Sequence, residues 1–200
     1  MGTMVGIDPS LTSTGIVAGS GPDDFGAWLC KSRKLGDTVA DRFRRYSQLL
    51  DEVEGVLVEL QPIDAVFIEG YAFAANGRAV YTGEYGGQLR ALVYQYAEKL
   101  VEVAPTTLKR FATGRGQFRK GEGKAPMVAA VLERWGYESH CDDDADAFAL
   151  WRLGLCCEGL AEAVTSEQHE AVYAVRNPRT APRRKGPRPK AGQAKRAELF

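Results

Sequence analysis

The chain has 200 residues, 44% of them apolar, with 26 basic and 26 acidic side chains, which suits one domain of ordinary size with a genuine core. No apolar run reaches the length of about 18 residues that a membrane-spanning helix needs, and no secretion-type leader opens the chain, so no membrane partner and a cytoplasmic location are expected. The charge is segregated: residues 176–200 hold nine basic residues against one acid, +8, leaving 17 basic and 25 acidic residues, −8, in residues 1–175.

Met4, Val5 and Ile7 predict a buried strand that runs into a single carboxylate, Asp8. Pro9 cannot donate to a sheet ladder. Ser10–Gly15 then reads as a polar turn and Gly15–Gly19 as a returning strand. A lone acid at the tip of a buried strand needs a metal ion or a basic partner, since a buried unpaired carboxylate is costly; the plain alternative is that Asp8 caps the turn. Gly21-Pro22-Asp23-Asp24 supplies the next turn, and Phe25–Lys31 a third strand. Thr38 is a plausible N-cap for a long helix, in which Phe43, Tyr46, Leu49, Leu50, Val53, Val56, Leu57 and Leu60 recur at three- and four-residue steps until Pro62 stops it.

Ala65–Ile68 is short and wholly apolar, the pattern of a central strand covered on both faces. It ends on Glu69, repeating the arrangement at Asp8. A loop, Gly70–Gly77, leads into a second predicted helix, Arg78–Leu100, where Gly83, Gly86 and Gly87 lower intrinsic stability and permit close packing. Val101–Ala104 is the last predicted strand, and Thr106–Phe111 a short helical turn. Thr113–Lys124 holds four glycines and four basic residues (Arg115, Arg119, Lys120, Lys124), a mobile basic loop. Pro126 suits the first turn of a helix through Trp135. The run Asp142–Trp151 opens with acids that complement a helix dipole and continues as a buried helix. Asp142 or Asp144 is a candidate N-cap. Thr165 with Gln168 resembles a capping box for a short helix to Val175. Cys30, Cys141, Cys156 and Cys157 form no CxxC pair, so reduced thiols are expected, and zinc at His140 and Cys141 lacks partners.

This order predicts an α/β fold with a mixed five-stranded sheet flanked by helices. The expected organisation is a domain over residues 1–160, a short helical extension over 161–175, and a disordered basic Pro/Gly-rich tail over 176–200. Asp8 and Glu69, at the ends of adjacent strands, can meet at one edge, where the acidic helix start can join them. Asp143 and Asp146 share a helix face, as do Asp142 and Asp146. Oxygen ligands without histidine suggest Mg²⁺, with Mn²⁺ able to substitute. Two such ions about 4 Å apart suit phosphodiester cleavage. The basic tail, including Arg183, Arg184 and Lys185, points to a phosphate backbone as partner.

GIDPSLTSTG at Gly6–Gly15, IEG at Ile68–Gly70 and DDADA at Asp143–Ala147 together resemble the RuvC family of Holliday junction resolvases, in the ribonuclease H-like superfamily. The resemblance spans Val5–Leu155, with the glycines of Gly83–Gly87 and Lys124 also in family order. It implies a ribonuclease H-like fold and a homodimer that binds four-way junctions and nicks two strands with two metal ions. It assigns Asp8, Glu69, Asp143 and Asp146 as ligands and Lys124 as the group on the scissile phosphate, and it favours Asp143 over Asp142. The family's junction wedge falls on Ala72, which departs from its aromatic pattern; Tyr71 or Phe73 beside it could stack on an unpaired base. Tyr71, Phe73 and Arg78, with Arg115, Arg119, Lys120 and Lys124, are thus candidate DNA contacts. The small size, Ala72 and the tail resemble the phage-borne branch, whose members accept other branched DNA such as forks and flaps.

Three other readings are weighed. A ribonuclease H-like nuclease could act on other nucleic acids, RNA-containing duplexes among them. A sugar-kinase or actin-like ATPase would need a second domain for which 200 residues leave no room. A non-catalytic DNA-binding protein would use the tail and the Arg115–Lys124 loop, and would have no need of convergent carboxylates.

Overall fold

A computed structural model describes residues 2–71, 79–119, 122 and 125–178. Ala72, Phe73, Arg78, Lys120, Lys124, Arg183, Arg184, Lys185 and most of the tail lie outside the described residues. The sheet comprises β1 (Thr3–Asp8), β2 (Ser13–Gly21), β3 (Asp24–Lys31), β4 (Ile63–Glu69) and β5 (Ala97–Val103), in the order β3-β2-β1-β4-β5. The first three strands form an antiparallel meander, and β1, β4 and β5 run parallel. The helices are α1 (Val39–Glu59), α2 (Ala79–Tyr96), α3 (Pro105–Thr113), α4 (Ala125–Trp135), α5 (Asp142–Glu158) and α6 (Ser166–Arg176). The expected mixed five-stranded sheet is present.

Side chains alternate across a strand, so each buried strand feeds two cores. Val5, Ile7, Ile16, Val66 and Ile68 pack with α1 and α2, through Tyr46, Leu49, Val53, Leu57, Tyr85, Leu89 and Val93. Met4, Val17, Ala65 and Phe67 face the other way, into a cluster with α3, α4, α5 and α6. α6 contributes Ala171 and Val172 to that cluster. The Thr38 and Thr165 caps are both present as capping boxes.

Several boundaries differ from the sequence expectation. β2 begins at Ser13 rather than Gly15, because the ladder pairs Ser13 with Lys31 and Thr14 with Cys30. The second helix ends at Tyr96, and Ala97–Leu100 belongs to β5. Those residues favour helix by propensity, but parallel pairing of Ala97, Lys99 and Leu100 with Ile63, Ala65 and Val66 overrides it. α3 is a full helix of nine residues. The N-cap of α5 is Cys141, not Asp142 or Asp144.

The four cysteines are free. Burial pushes the Cys30 thiol up to about 11 and Cys157 up to about 12, so neither is a thiolate near neutral pH.

α5 lies directly against β1 and β2. A Cβ on Gly6 would collide with the backbone of Ala147 and Trp151, and one on Gly15 with the Asp143 carbonyl. Among the described residues Gly83 meets nothing within 4 Å, while Gly86 and Gly87 lie against Tyr71. Backbone collisions cannot be relieved by a rotamer change. Gly6→Ala is therefore expected to cost about 3 kcal/mol or more in urea unfolding. Gly55→Ala, at an α1 position with open space around it, should instead gain about 0.4–1 kcal/mol. Equal small shifts for both would contradict the α5–β1 approach.

Candidate active site

The ladder between β1 and β4 pairs Ile7 with Ile68, so the next residues, Asp8 and Glu69, emerge side by side at one sheet end. By the same alternation, Asp8 shares the face of Met4 and Gly6, and Glu69 that of Ala65 and Phe67, which is the α5 face. Gly6 and Gly15 let α5 descend onto that face. Its second turn then delivers Asp146, and one carboxylate oxygen from each of Asp8, Glu69 and Asp146 lies within 4.8 Å of the others. Asp8 is 3% and Asp146 5% exposed.

Three charges this close repel by ~3 kcal/mol per pair even at an effective dielectric of about 20. Summed, that is comparable to the ~5–15 kcal/mol stability of a whole domain. Three oxygen donors with no histidine or thiol in the group are the donor set that a hard divalent cation takes. The residues therefore fit Mg²⁺ or Mn²⁺.

The remaining acids of α5 divide by role. Asp144 is buried and accepts hydrogen bonds from the Tyr137 hydroxyl (2.6 Å) and the His140 amide (2.9 Å). Burial, with Asp144 beside it, pushes the Tyr137 hydroxyl up and keeps it protonated as a donor. Tyr137 also stacks on Phe148, with ring centroids 4.2 Å apart, so Asp144 fixes the entry to α5. Asp143 lines the same cleft as Asp8 and Glu69. Its carboxylate oxygen groups with Cys141 and Asp142 rather than with the trio.

Two arginines that the sequence reading did not single out hold the strand ends. Arg90 of α2 donates to the Glu69 carbonyl (2.6 Å) and the Gly86 carbonyl (2.9 Å), and pairs with Glu102 of β5. Its guanidinium lies 4.1 Å from the Tyr71 ring centroid. Tyr71 is thus packed against its own domain by a cation–π contact. Arg45 of α1 donates to Ser32 Oγ (2.9 Å) and to the Leu11 carbonyl, which Ser32 Oγ also reaches, so the turn after Asp8 is pinned from outside. From within, the Thr14 and Tyr85 hydroxyls share a buried hydrogen bond of 2.7 Å. Burial pushes the Tyr85 hydroxyl up. The pattern gave no hint of either arginine, since each sits in a helix where a basic residue ordinarily faces water.

Arg115 and Arg119 lie on the α3–α4 connection and do not line the cleft. Arg115 approaches Glu122 Oε1 at 3.4 Å, and the Arg119 amide donates to Glu122 Oε2 at 2.7 Å.

No protein-family model matches the chain. The crossover junction endodeoxyribonuclease RuvC of Chlorobium phaeovibrioides is 32% identical over 166 residues, covering 81% of this chain and 86% of that protein. The RuvC of Chlamydia felis is 34% identical over 111 residues, 54% of this chain and 64% of that one. Among solved structures, Thermus thermophilus RuvC in complex with a Holliday junction substrate superposes with a TM-score of 0.59 at 19% identity, over 82% of this chain and all of that one. A second Thermus thermophilus RuvC structure gives 0.54 at 20% identity, over 81% and 99% of the two chains.

If repulsion within the trio is relieved by a cation, its cost is exposed when the cation is removed. In EDTA, Asp146→Asn should melt above the unsubstituted chain by about 2–6 °C. Mg²⁺ should raise the melting temperature of the unsubstituted chain and leave the variant nearly unmoved. A variant that melts no higher in EDTA would show that the three carboxylates coexist without strain.

Proposed function

The chain belongs to the RuvC family of crossover junction endodeoxyribonucleases, and from that premise we propose that it hydrolyses phosphodiester bonds in four-way DNA junctions. The observation that carries this reading is the convergence of Asp8, Glu69 and Asp146 at one end of the sheet. In the proposal these three hold a divalent cation, Mg²⁺ first and Mn²⁺ as substitute. Asp143, on the wall of the same cleft, completes a second cation position. Bound there, the cations supply Lewis acidity toward water and phosphate oxygen.

The chain's own residues do the rest. Burial of Asp8 and Asp146 keeps bulk water from screening them, so their charge acts at close range. Arg90 and Arg45 hold Glu69 and the turn after Asp8 in place, so the ligands need not reorganise as charge develops on the phosphate. Lys124, assigned by family resemblance, neutralises charge on the scissile phosphate. The basic tail adds affinity for any DNA backbone, and forks and flaps are accepted beside the four-way junction.

A symmetric pair of nicks requires two copies, and α2 carries a surface suited to the second. One face of it, Tyr85, Leu89 and Val93, is in the core. The other exposes Val80, Gly87 and Tyr94 at intervals of seven residues, with Val80 65% and Tyr94 74% exposed. A helix apolar on two faces has one for its own core and one for a partner. We place the homodimer contact there.

Asp8→Asn should lower junction cleavage by at least about a thousandfold, a loss of ~4 kcal/mol of transition-state stabilisation, while gel-shift affinity for the junction is kept. Retained cleavage would remove Asp8 from the mechanism. In sedimentation, Tyr94→Glu should convert a dimeric chain to monomer, and an unchanged dimer mass would exclude the α2 face.

A further inference from the structure

We propose that the wall of the cleft built by the β3–α1 connection and the start of α2 is the track along which the cut DNA strand leaves the carboxylates. This deepens the endonuclease reading and rests on it. The cleft has a volume of about 880 Å³ and is continuous from Asp8 and Glu69 to Arg33, Lys34, Arg45 and Tyr81.

Asp8, Glu69 and Asp143 line one part of this cleft, and the β3–α1 part carries both signs of charge: Asp37 and Asp41 line it too, paired with Lys34 and Arg44. There, Arg33 is exposed, and among the described residues it has no acidic partner. Among the described residues Arg45 donates to neutral oxygens, those of Leu11 and Ser32. Lys34 is paired with Asp37, but both are well exposed. Such a surface pair contributes little, so a phosphate displaces Asp37 readily. Arg42 is the member already neutralised, by Glu84 at 3.0 Å.

Aromatic surface lies among these cations. Tyr81 is 43% exposed, and the Arg42 guanidinium sits 4.8 Å from its ring centroid, which holds the ring in place from one side. Basic groups that follow a backbone, interleaved with an exposed ring that can take a base, are the elements of a single-strand binding groove. A rigid small anion would satisfy the cations but leave the ring without a role. A strand supplies both phosphate and base. The polarity is also consistent: cations held by the carboxylates draw the scissile phosphate to one end, and the next phosphates along the strand meet Arg33 and Lys34 at the other.

The test compares the full chain with three single variants, Arg33→Glu, Tyr81→Leu and Lys99→Glu. Lys99 undergoes the same charge change at the far end of the sheet, where it pairs with Glu158 at the close of α5. Affinity and its salt dependence are measured on a four-way junction and on a single-stranded oligonucleotide, in EDTA. Arg33→Glu should weaken both by about tenfold or more and reduce the salt slope by about 1. Tyr81→Leu should cost about tenfold with the slope unchanged, because stacking releases no counterions. Lys99→Glu should stay within about twofold, as expected of a charge that touches no phosphate. If Arg33→Glu behaves like Lys99→Glu, bulk charge explains the effect and the track is overturned. If the unsubstituted chain fails to nick junctions, the endonuclease reading falls, while the oligonucleotide comparison still decides the track.

Discussion

The whole site depends on how closely one helix can lie on the sheet. Asp146 reaches Asp8 and Glu69 because Gly6 and Gly15 put no side chain between α5 and the strands beneath it. Any larger residue at either position would lift the helix by the thickness of a methyl group, and the three carboxylates would separate. The two glycines thus trade strand propensity for proximity, since glycine is a poor strand residue. What the proximity creates is unfavourable by itself: three acids, two of them nearly fully buried, at one point. The packing of Ala147, Leu150 and Trp151 into the core holds that arrangement together. In the proposed function, a divalent cation would offset the charge that this packing brings together.

The parts that carry chemistry come from rigid elements and not from loops. Asp8 and Glu69 end two parallel central strands, and Asp146 sits inside a helix that is buried for most of its length. Arg90 and Arg45 brace the segments at which those strands give way to irregular backbone. Division of labour among the acids of α5 follows from their direction. Asp144 turns to Tyr137 and His140 and serves the fold, Asp146 turns to the strand ends, and Asp143 stands at the cleft wall. Three neighbouring acids therefore hold different roles within about one helical turn.

Much of this was legible in the sequence, because the signals were local. Apolar runs ending on Asp8 and Glu69 gave two strand ends, and parallel neighbours must put equivalent ends together. The α1 pattern named eight apolar positions, of which Tyr46, Leu49, Val53 and Leu57 are buried and Phe43 is exposed. Where the reading missed, a non-local term decided. Ala97–Leu100 has helical composition, and only the β4 edge makes it a strand. Asp142 and Asp144 looked interchangeable as caps, and the position of Tyr137 gives Asp144 its structural role. Gly6 gave no signal within its strand, since its necessity lies in a helix more than 130 residues away. Arg45 and Arg90 were silent for the same reason: their acceptors are main-chain carbonyls, which no side-chain pattern reveals.

In the proposed function a cation-loaded carboxylate trio at the ends of β1 and β4 cuts DNA at branch points. This is tested most directly by mapping every nick on an end-labelled four-way junction and on a linear duplex of the same sequence, in Mg²⁺ and in EDTA. The account predicts paired nicks placed symmetrically across the junction in Mg²⁺, no nicks in EDTA, and an intact duplex. Nicks that persist in EDTA, or a duplex cut as readily as the junction, would contradict it.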